Sequence, residues 1–144
     1  DMKILAIKSC GDRTGISLML NDEINSCTMN HDRKDRPNWD MFLDNIGHKK
    51  IFNLSEIDLF AFENNQNSFT ATRITASFLK GIATALKKPL ILIEDNSENN
   101  LDVEELVIIA KEKFLSAEDA HKRFDPKNVN PTYEEDIKFR KLNE

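Results

Sequence analysis

The chain has 144 residues and a formal net charge of −5. It shows no N-terminal signal pattern and no apolar run of membrane-spanning length. We therefore expect a soluble cytoplasmic protein with no membrane partner. This length is enough for one domain with a real core, with or without a tail. Residues 1–93 carry 12 basic and 11 acidic side chains and residues 94–144 carry 8 and 14, so neither part offers the basic face by which a protein holds nucleic acid directly.

Three short strands are predicted at the start of the chain. An apolar run at 3–9, an alternating run at 14–20 and a third run at 23–29 are separated by the turn signals Gly11-Asp12 and Asn21-Asp22. Such close spacing predicts an antiparallel meander. Cys10 and Cys27 show no paired spacing, so we expect reduced thiols rather than a disulfide or a zinc site.

Helices and strands then alternate. Apolar residues recur at helical spacing between Pro37 and Ile46, and again between Phe69 and Lys87, which predicts two helices. Apolar runs at 57–62 and 90–93 predict two further strands. The resulting order, β-β-β-α-β-α-β, is that of an α/β protein with a mixed five-stranded sheet: the ribonuclease-H-like fold and the actin-like ATPase (ASKHA) fold built on it.

The composition of the sequence changes after Glu94. An acidic, turn-prone stretch is predicted to be a linker, followed by a helix at 102–115, a shorter helical piece at 117–124 and an extended tail from Asp125. We therefore divide the chain into a first lobe, residues 1–93, and a remainder, residues 94–144, that holds the linker, the closing helix and the tail.

The long helix at 69–87 carries two stripes. The large apolar stripe, which we predict to lie on the sheet, consists of Ile74, Phe78, Ile82 and Leu86. The second stripe, with Ala85 beside it, consists of the small residues Ser77, Gly81 and Thr84. Small residues let another helix approach closely. That helix is either the first helix of the same chain or one from a partner, and both interpretations can hold together.

Several segments resemble the TsaB (YeaZ) family, whose members are partner subunits in bacterial tRNA threonylcarbamoyladenosine formation. The resemblance rests on M-K-I-L-A-I, S-F-T-x-x-R-I and K-G-I-A-T-A-L-K-K-P-L-I, covers residues 2–93 in order, and resumes weakly at 106–114 and 130–133. It implies a TsaB-like protein shortened in its second lobe. The family's glycine-rich loop is replaced here by residues 65–73, where Asn67 can keep a turn with positive φ and Ala71 adds a methyl group.

Lys8 marks another departure from the family pattern. The actin-like ATPases and ribonuclease-H nucleases need a carboxylate near the end of the first strand, and a protonated lysine binds no metal. Ser68 with a histidine could be drawn as a hydrolase pair, but no G-x-S-x-G elbow is present. We expect the histidines to be surface residues, and Cys10 to be a small semi-buried residue rather than a reactive thiol. His31, His48 and His121 are the three histidines.

The resemblance implies a non-catalytic scaffold that docks TsaD, the catalytic subunit, through its first-lobe helices, with TsaE as a further partner and tRNA met only indirectly. The same helices can also self-associate. No catalytic, metal or cofactor site is expected. The predicted interface consists of Trp39, Phe42, Arg73, Ser77, Gly81 and Thr84. Arg73 opposes the helix dipole, so we expect it to pair with a carboxylate or carbonyl, inside the domain or across the interface. The alternatives are a stand-alone actin-like nucleotide-binding or glycoprotease-type enzyme, and a homodimer without another partner.

Overall fold

The elements below come from a computed structural model that describes residues 1–33, 37–65, 68–94 and 101–130. The strands are β1 (Ile4–Ser9), β2 (Arg13–Leu20), β3 (Glu23–Asn30), β4 (Leu59–Asn64) and β5 (Leu90–Glu94). The α-helices are α1 (Trp39–Asn45), α2 (Phe69–Leu86), α3 (Val103–Ser116) and α4 (Ala120–Arg123). Short 3₁₀ turns are formed by Leu54–Glu56 and Pro126–Asn128.

All five strands belong to one mixed sheet, as predicted, with the spatial order β3-β2-β1-β4-β5. β1 pairs antiparallel with β2, and β2 antiparallel with β3. β1 pairs parallel with β4, and β4 parallel with β5. The turn between β2 and β3 contains Asn21 and Asp22 at φ values of 51° and 66°, and positive φ at both central residues fits the tight turn between two twisted strands. The carboxyl ends of β1, β4 and β5 therefore meet at one edge of the sheet.

The sheet is covered on both faces. Side chains alternate along a strand, so Leu5 and Ile7 of β1 join the core beneath α1 and α2, whereas Ile4 and Ala6 join a second core beneath α3. The result is a three-layer arrangement with two separate hydrophobic cores. The described residues contain no helix that is both long and apolar enough to span a membrane.

The ends of the elements follow local chemistry. α1 begins at Trp39 rather than Pro37 because the Asn38 side chain accepts a hydrogen bond from the Met41 backbone N–H. β4 begins at Leu59, two residues later than predicted, since a 3₁₀ turn precedes it. α2 ends at Leu86, and Lys87 is left-handed with φ 57°, so Lys87 and the following lysine lie beyond the helix rather than in its last turn.

The sheet-facing stripe of α2 differs from the prediction. Its buried residues are Ala71, Thr72, Thr75, Ala76, Leu79 and Ala83. The four large apolar residues at positions 74, 78, 82 and 86 are only half-buried, so the prediction that they lie on the sheet is wrong. They line one flank of the helix, where Phe78, Ile82 and Leu86 pack against the core beneath α1 and α2 as partly buried residues.

Several predictions fall outside the described residues. These are the linker at 95–100, the tail from position 131 onward and the loop residue Asn67. The predicted closing helix is confirmed as α3, with Asp102 at its N-cap position. α4 is shorter than the predicted piece at 117–124. The division of the chain at residue 93 stays a prediction, although α3 packs on the same sheet as the other helices.

Candidate docking surface

α1 and α2 lie side by side on one face of the sheet, and a groove runs between their outer surfaces. Trp39 stacks on Phe78, with ring centroids 4.4 Å apart and an interplanar angle of 6°. The groove has a volume of about 470 Å³ and is also lined by Pro37, Arg73 and Ile74. Its walls are therefore mainly apolar and aromatic, with one cation at the rim.

Phe42 does not belong to this surface. Its side chain is 1% exposed and sits in the core beneath α1 and α2. Residues three apart on a helix point in directions roughly 60° apart, and here Trp39 stacks on Phe78 of α2 whereas Phe42 packs in the core. The prediction that Phe42 serves as an exposed interface anchor is therefore wrong. Trp39 is half-buried and presents part of its ring to the groove.

The small-residue stripe of α2 is open. Ser77, Gly81 and Thr84 are all exposed, and a Cβ atom added to Gly81 meets nothing within 4 Å. Gly81 and Thr84 therefore do not serve to admit α1, which contacts α2 through Phe78, whereas Ser77 lines the groove beside α1. The stripe is a bare helix surface with room for a second backbone.

Arg73 stands on the same exposed surface, at the start of α2. In the part of the chain that the structure describes, no carboxylate or carbonyl pairs with its guanidinium. The expected internal partner is thus not found among these residues, and the expectation of a partner across an interface stays a prediction. Lys80 lies seven residues and so about two turns further along the helix, and it donates to the Val129 carbonyl at 3.3 Å and to Asn130 Oδ1 at 3.2 Å.

The carboxyl-terminal edge of the parallel strands is the second place where chemistry could lie. Lys8 Nζ is 3.4 Å from the buried Glu63 carboxylate and also donates to the Leu101 carbonyl. The lysine thus neutralises a carboxylate where a metal site needs negative charge. Among the described residues, no three His, Cys, Asp or Glu side chains come together in a way that could hold a metal ion.

A chain of hydroxyl groups lies beside that edge, and sequence reasoning missed it. Ser9 Oγ and Thr14 Oγ1 are 2.8 Å apart, and Thr14 Oγ1 is 2.8 Å from His31 Nε2. His31 Nδ1 faces the Asp32 carbonyl at 3.0 Å, and a carbonyl only accepts, so Nδ1 carries a proton; in the neutral ring, Nε2 then accepts from Thr14 Oγ1. His31 is therefore half-buried and bonded, contrary to the expectation of a solvated surface histidine.

This arrangement does not form the hydrolase pair considered from the sequence. Ser68 Oγ donates to the Cys10 carbonyl at 2.9 Å and caps no backbone N–H of α2. Ser9 reaches His31 only through the fully buried Thr14, so among the described residues no serine hydroxyl is hydrogen-bonded directly to a histidine. The hydroxyl chain borders a polar cavity of about 310 Å³ at the start of α2. Cys10 and Cys27 are free thiols, as expected.

One signal of this hydroxyl chain was present in the sequence. Ser9 and Thr14 end β1 and begin β2, and antiparallel pairing sets them opposite each other. His31 follows β3, whose end pairs with the start of β2. The meander was predicted, so the juxtaposition of the three residues could have been derived from its register.

The fold and the surface define a class: an α/β protein with a mixed five-stranded sheet, an α1–α2 pair on one face and α3 on the other. Solved structures of this class include YeaZ from Pseudomonas aeruginosa, which superposes with a TM-score of 0.60 and 21% identity over 66% of this chain. A second structure, described as an uncharacterized protein with similarity to the peptidase YEAZ from Pseudomonas aeruginosa, gives a TM-score of 0.55 and 24% identity over 66% of this chain.

At this level of identity the likeness shows the fold. The matched part of the chain spans 45% of the first structure and 44% of the second, so this chain corresponds to less than half of their length. No family model and no curated protein matches the sequence.

Proposed function

We propose that this chain is a docking subunit of the TsaB (YeaZ) kind. In this proposal its α1–α2 surface binds a TsaD-type catalytic subunit and thereby supports tRNA threonylcarbamoyladenosine formation. A TsaE-type ATPase joins the complex as a further partner, and tRNA is contacted by the partners. The finer fold assignment, ribonuclease-H-like and actin-like, and the cytoplasmic location belong to the same proposal.

The observation that carries the proposal is the open surface of α2. An 18-residue helix with exposed small side chains in its middle presents an outer surface that is open at Gly81, beside the place where Lys80 bonds to Val129 and Asn130. A bare helix surface beside an apolar groove is the geometry that accepts another helix at short range. The fold that this chain shares with YeaZ supports the choice of partner.

The proposal assigns the chemistry to the partner rather than to this chain. Support comes from Lys8, which pairs with Glu63 at the edge where a metal-binding carboxylate would stand. Further support comes from Ser68, whose hydroxyl bonds to a backbone carbonyl instead of a base. Lys8 and Ser68 are thus engaged in holding the fold.

The test is co-purification of the full chain with the TsaD-type subunit from the same source. Wild-type chain should form a complex, and Gly81→Trp should lower the amount captured at least about tenfold, because an indole at a close helix contact forces the helices apart. The variant should keep its own fold, since Gly81 is exposed and a Cβ atom added there meets nothing within 4 Å.

The matched control is Glu112→Trp, which adds an indole at an exposed position of α3 on the opposite face of the sheet. It should capture the partner as well as wild type does. Circular dichroism and the unfolding midpoint of each variant verify folding. The docking proposal fails if wild type captures no partner, or if Gly81→Trp captures as much as the control.

A stand-alone enzyme is the second candidate, and one observation favours it. The cavity of about 310 Å³ at the start of α2 is bordered by Ser9, His31, Arg33 and Ser68, a polar set that could receive a charged ligand. A shift of the unfolding midpoint on adding ATP and Mg²⁺ would support nucleotide binding, since a ligand bound by the folded state alone stabilises it. No shift at millimolar nucleotide argues against the nucleotide-binding form of this candidate.

A further inference from the structure

The exposed surface of α2 has only one sign of charge. From Phe69 to Leu86 the helix contains no aspartate or glutamate, and its two charged residues are Arg73 and Lys80. Two more cations, Lys87 and Lys88, follow directly. A surface charged in this way attracts acidic groups and repels basic ones.

These cations differ in what they already contact. Lys80 is engaged by the Val129 carbonyl and the Asn130 side chain. Arg73 is exposed, pairs with no group among the described residues, and stands at the rim of the groove beside Trp39 and Phe78. A guanidinium presents a planar fork of donors that matches a carboxylate. Arg73 is thus the cation that is positioned to receive a new partner.

We propose that the segment docked on this surface presents a carboxylate, from aspartate or glutamate, to Arg73 and places an apolar side chain in the adjoining groove. This inference rests on the proposed docking function and adds the chemistry of the partner. The groove walls, Trp39 and Phe78, take the apolar group, and the guanidinium at the rim takes the charge. A partner with both features gains shape and charge complementarity at one place.

The spacing along α2 sharpens the requirement. Arg73 and Gly81 are eight residues apart, which is about 12 Å along a helix axis. A docked helix that crosses α2 at a small angle therefore carries its carboxylate about two turns away from the residue that rests on Gly81. This gives the partner a recognisable pattern: an acidic residue and a small or apolar residue seven or eight positions apart.

The same charges disfavour a second copy of this chain as the occupant. In a twofold contact of α2 with α2 through Gly81, Arg73 lies opposite the end of the other helix, where Lys87 and Lys88 follow. Like charges then face each other at both ends of the contact, which costs stability. The exposed surface of α2 therefore selects an acidic, non-identical partner.

The experiment measures binding of the full chain to the TsaD-type subunit by isothermal titration calorimetry. Arg73→Glu should weaken binding at least about tenfold, whereas Arg73→Lys, which keeps the charge but loses the fork, should weaken it less. The matched control is Lys113→Glu, which makes the same charge change at an exposed position of α3 on the other face of the sheet. It should bind like wild type.

The dependence of binding on ionic strength gives a second readout. Raising the ionic strength from about 0.05 M to about 0.5 M should weaken binding of wild type more than binding of Arg73→Ala, because screening acts on a charge pair that only wild type has. Emission of Trp39, the only tryptophan of this chain, should be the same in the isolated variants and thereby verify that the groove is intact.

The outcomes separate the two proposals. If Gly81→Trp abolishes binding while Arg73→Glu binds like Lys113→Glu, the docking surface stands and the carboxylate inference is wrong. If wild type does not bind, the docking function itself fails, and the inference falls with it. If sedimentation shows that the isolated chain is a dimer that Gly81→Trp dissociates, a second copy is the occupant and the inference is overturned.

Discussion

Lys8 decides what the end of β1 can do. It stands where the parallel strands end, half-buried, with its ammonium 3.4 Å from the buried Glu63 carboxylate and donating to the Leu101 carbonyl. A buried carboxylate needs such a partner, because removing one member of a buried pair is strongly destabilising. The lysine also attaches the segment before α3 to the sheet edge. Lys8 therefore stabilises the fold at a position where a metal site would need a carboxylate.

Glu104 offers a residue-scale test of the contact between α3 and β3. Ser26 Oγ donates to Glu104 Oε1 at 2.5 Å, and this bond, followed by one from the glutamate's own backbone N–H, holds the pKa of the Glu104 carboxyl below its ordinary value of 4.5. Ser26→Ala removes the larger cause. We expect the pKa of Glu104 to rise toward 4.5, as measured by NMR titration of its carboxyl carbon.

The sign of the stability effect follows from the lowered pKa. A group with a lowered folded pKa stabilises the fold above its unfolded pKa, here about 4.5, and loses that contribution as the pH falls through the folded pKa. The difference in unfolding free energy between wild type and Ser26→Ala should therefore be present at neutral pH. It should become smaller as the pH falls below about 4.5. Glu56 is the internal control, because its pKa is lowered by Lys3 and the Asn53 backbone N–H; an equal change at both residues contradicts the assignment.

At the scale of elements, α2 shows how far a helical pattern can be interpreted. Its existence and its bounds were predicted from spacing and capping residues, and the structure agrees to within one residue. The choice of buried stripe was wrong, because the largest residues were assumed to face the sheet. Leu79 is the large residue that does so, with Ala76 and Ala83 one turn away on either side. The rotation of the helix about its own axis, which a single sequence does not reveal, decides which stripe faces the sheet.

Some residues of the candidate surface were predicted correctly and others were not. Ser77, Gly81 and Thr84 could be identified as an open stripe because they are small and share one side of a helix. Phe42 was misplaced because aromatic character does not distinguish a core residue from an interface anchor. The chain from Ser9 to His31 was missed because it joins three strands whose register had not been worked out. Local periodicity is visible in a sequence, whereas contacts between elements need the fold.

At the scale of the molecule, the inner contact between α3 and the sheet is tight, whereas the outer surface of α2 is open. On the α3 side, Gly15 of β2 lies directly beneath Val103, and the Val103 carbonyl accepts a hydrogen bond from Ser17 Oγ at 2.7 Å. This bond fixes the start of α3 against β2. On the other side, the outer surface of α2 is open at Gly81. The molecule is thus sealed where α3 meets the sheet and exposed where docking is proposed.

Two glycine substitutions test this difference. A methyl group added at Gly15 comes within 3.0 Å of Thr28 Oγ1 and 3.2 Å of Val103 Cβ, so Gly15→Ala should lower the free energy of unfolding by about 1–3 kcal/mol through overpacking. Gly81→Ala adds the same methyl group to an open helix position and should raise it by up to about 1 kcal/mol, because alanine favours a helix over glycine. Urea unfolding measures both values. Because both variants add one methyl group, a stabilising Gly15→Ala or a destabilising Gly81→Ala would mean that the tight and the open side have been assigned the wrong way round.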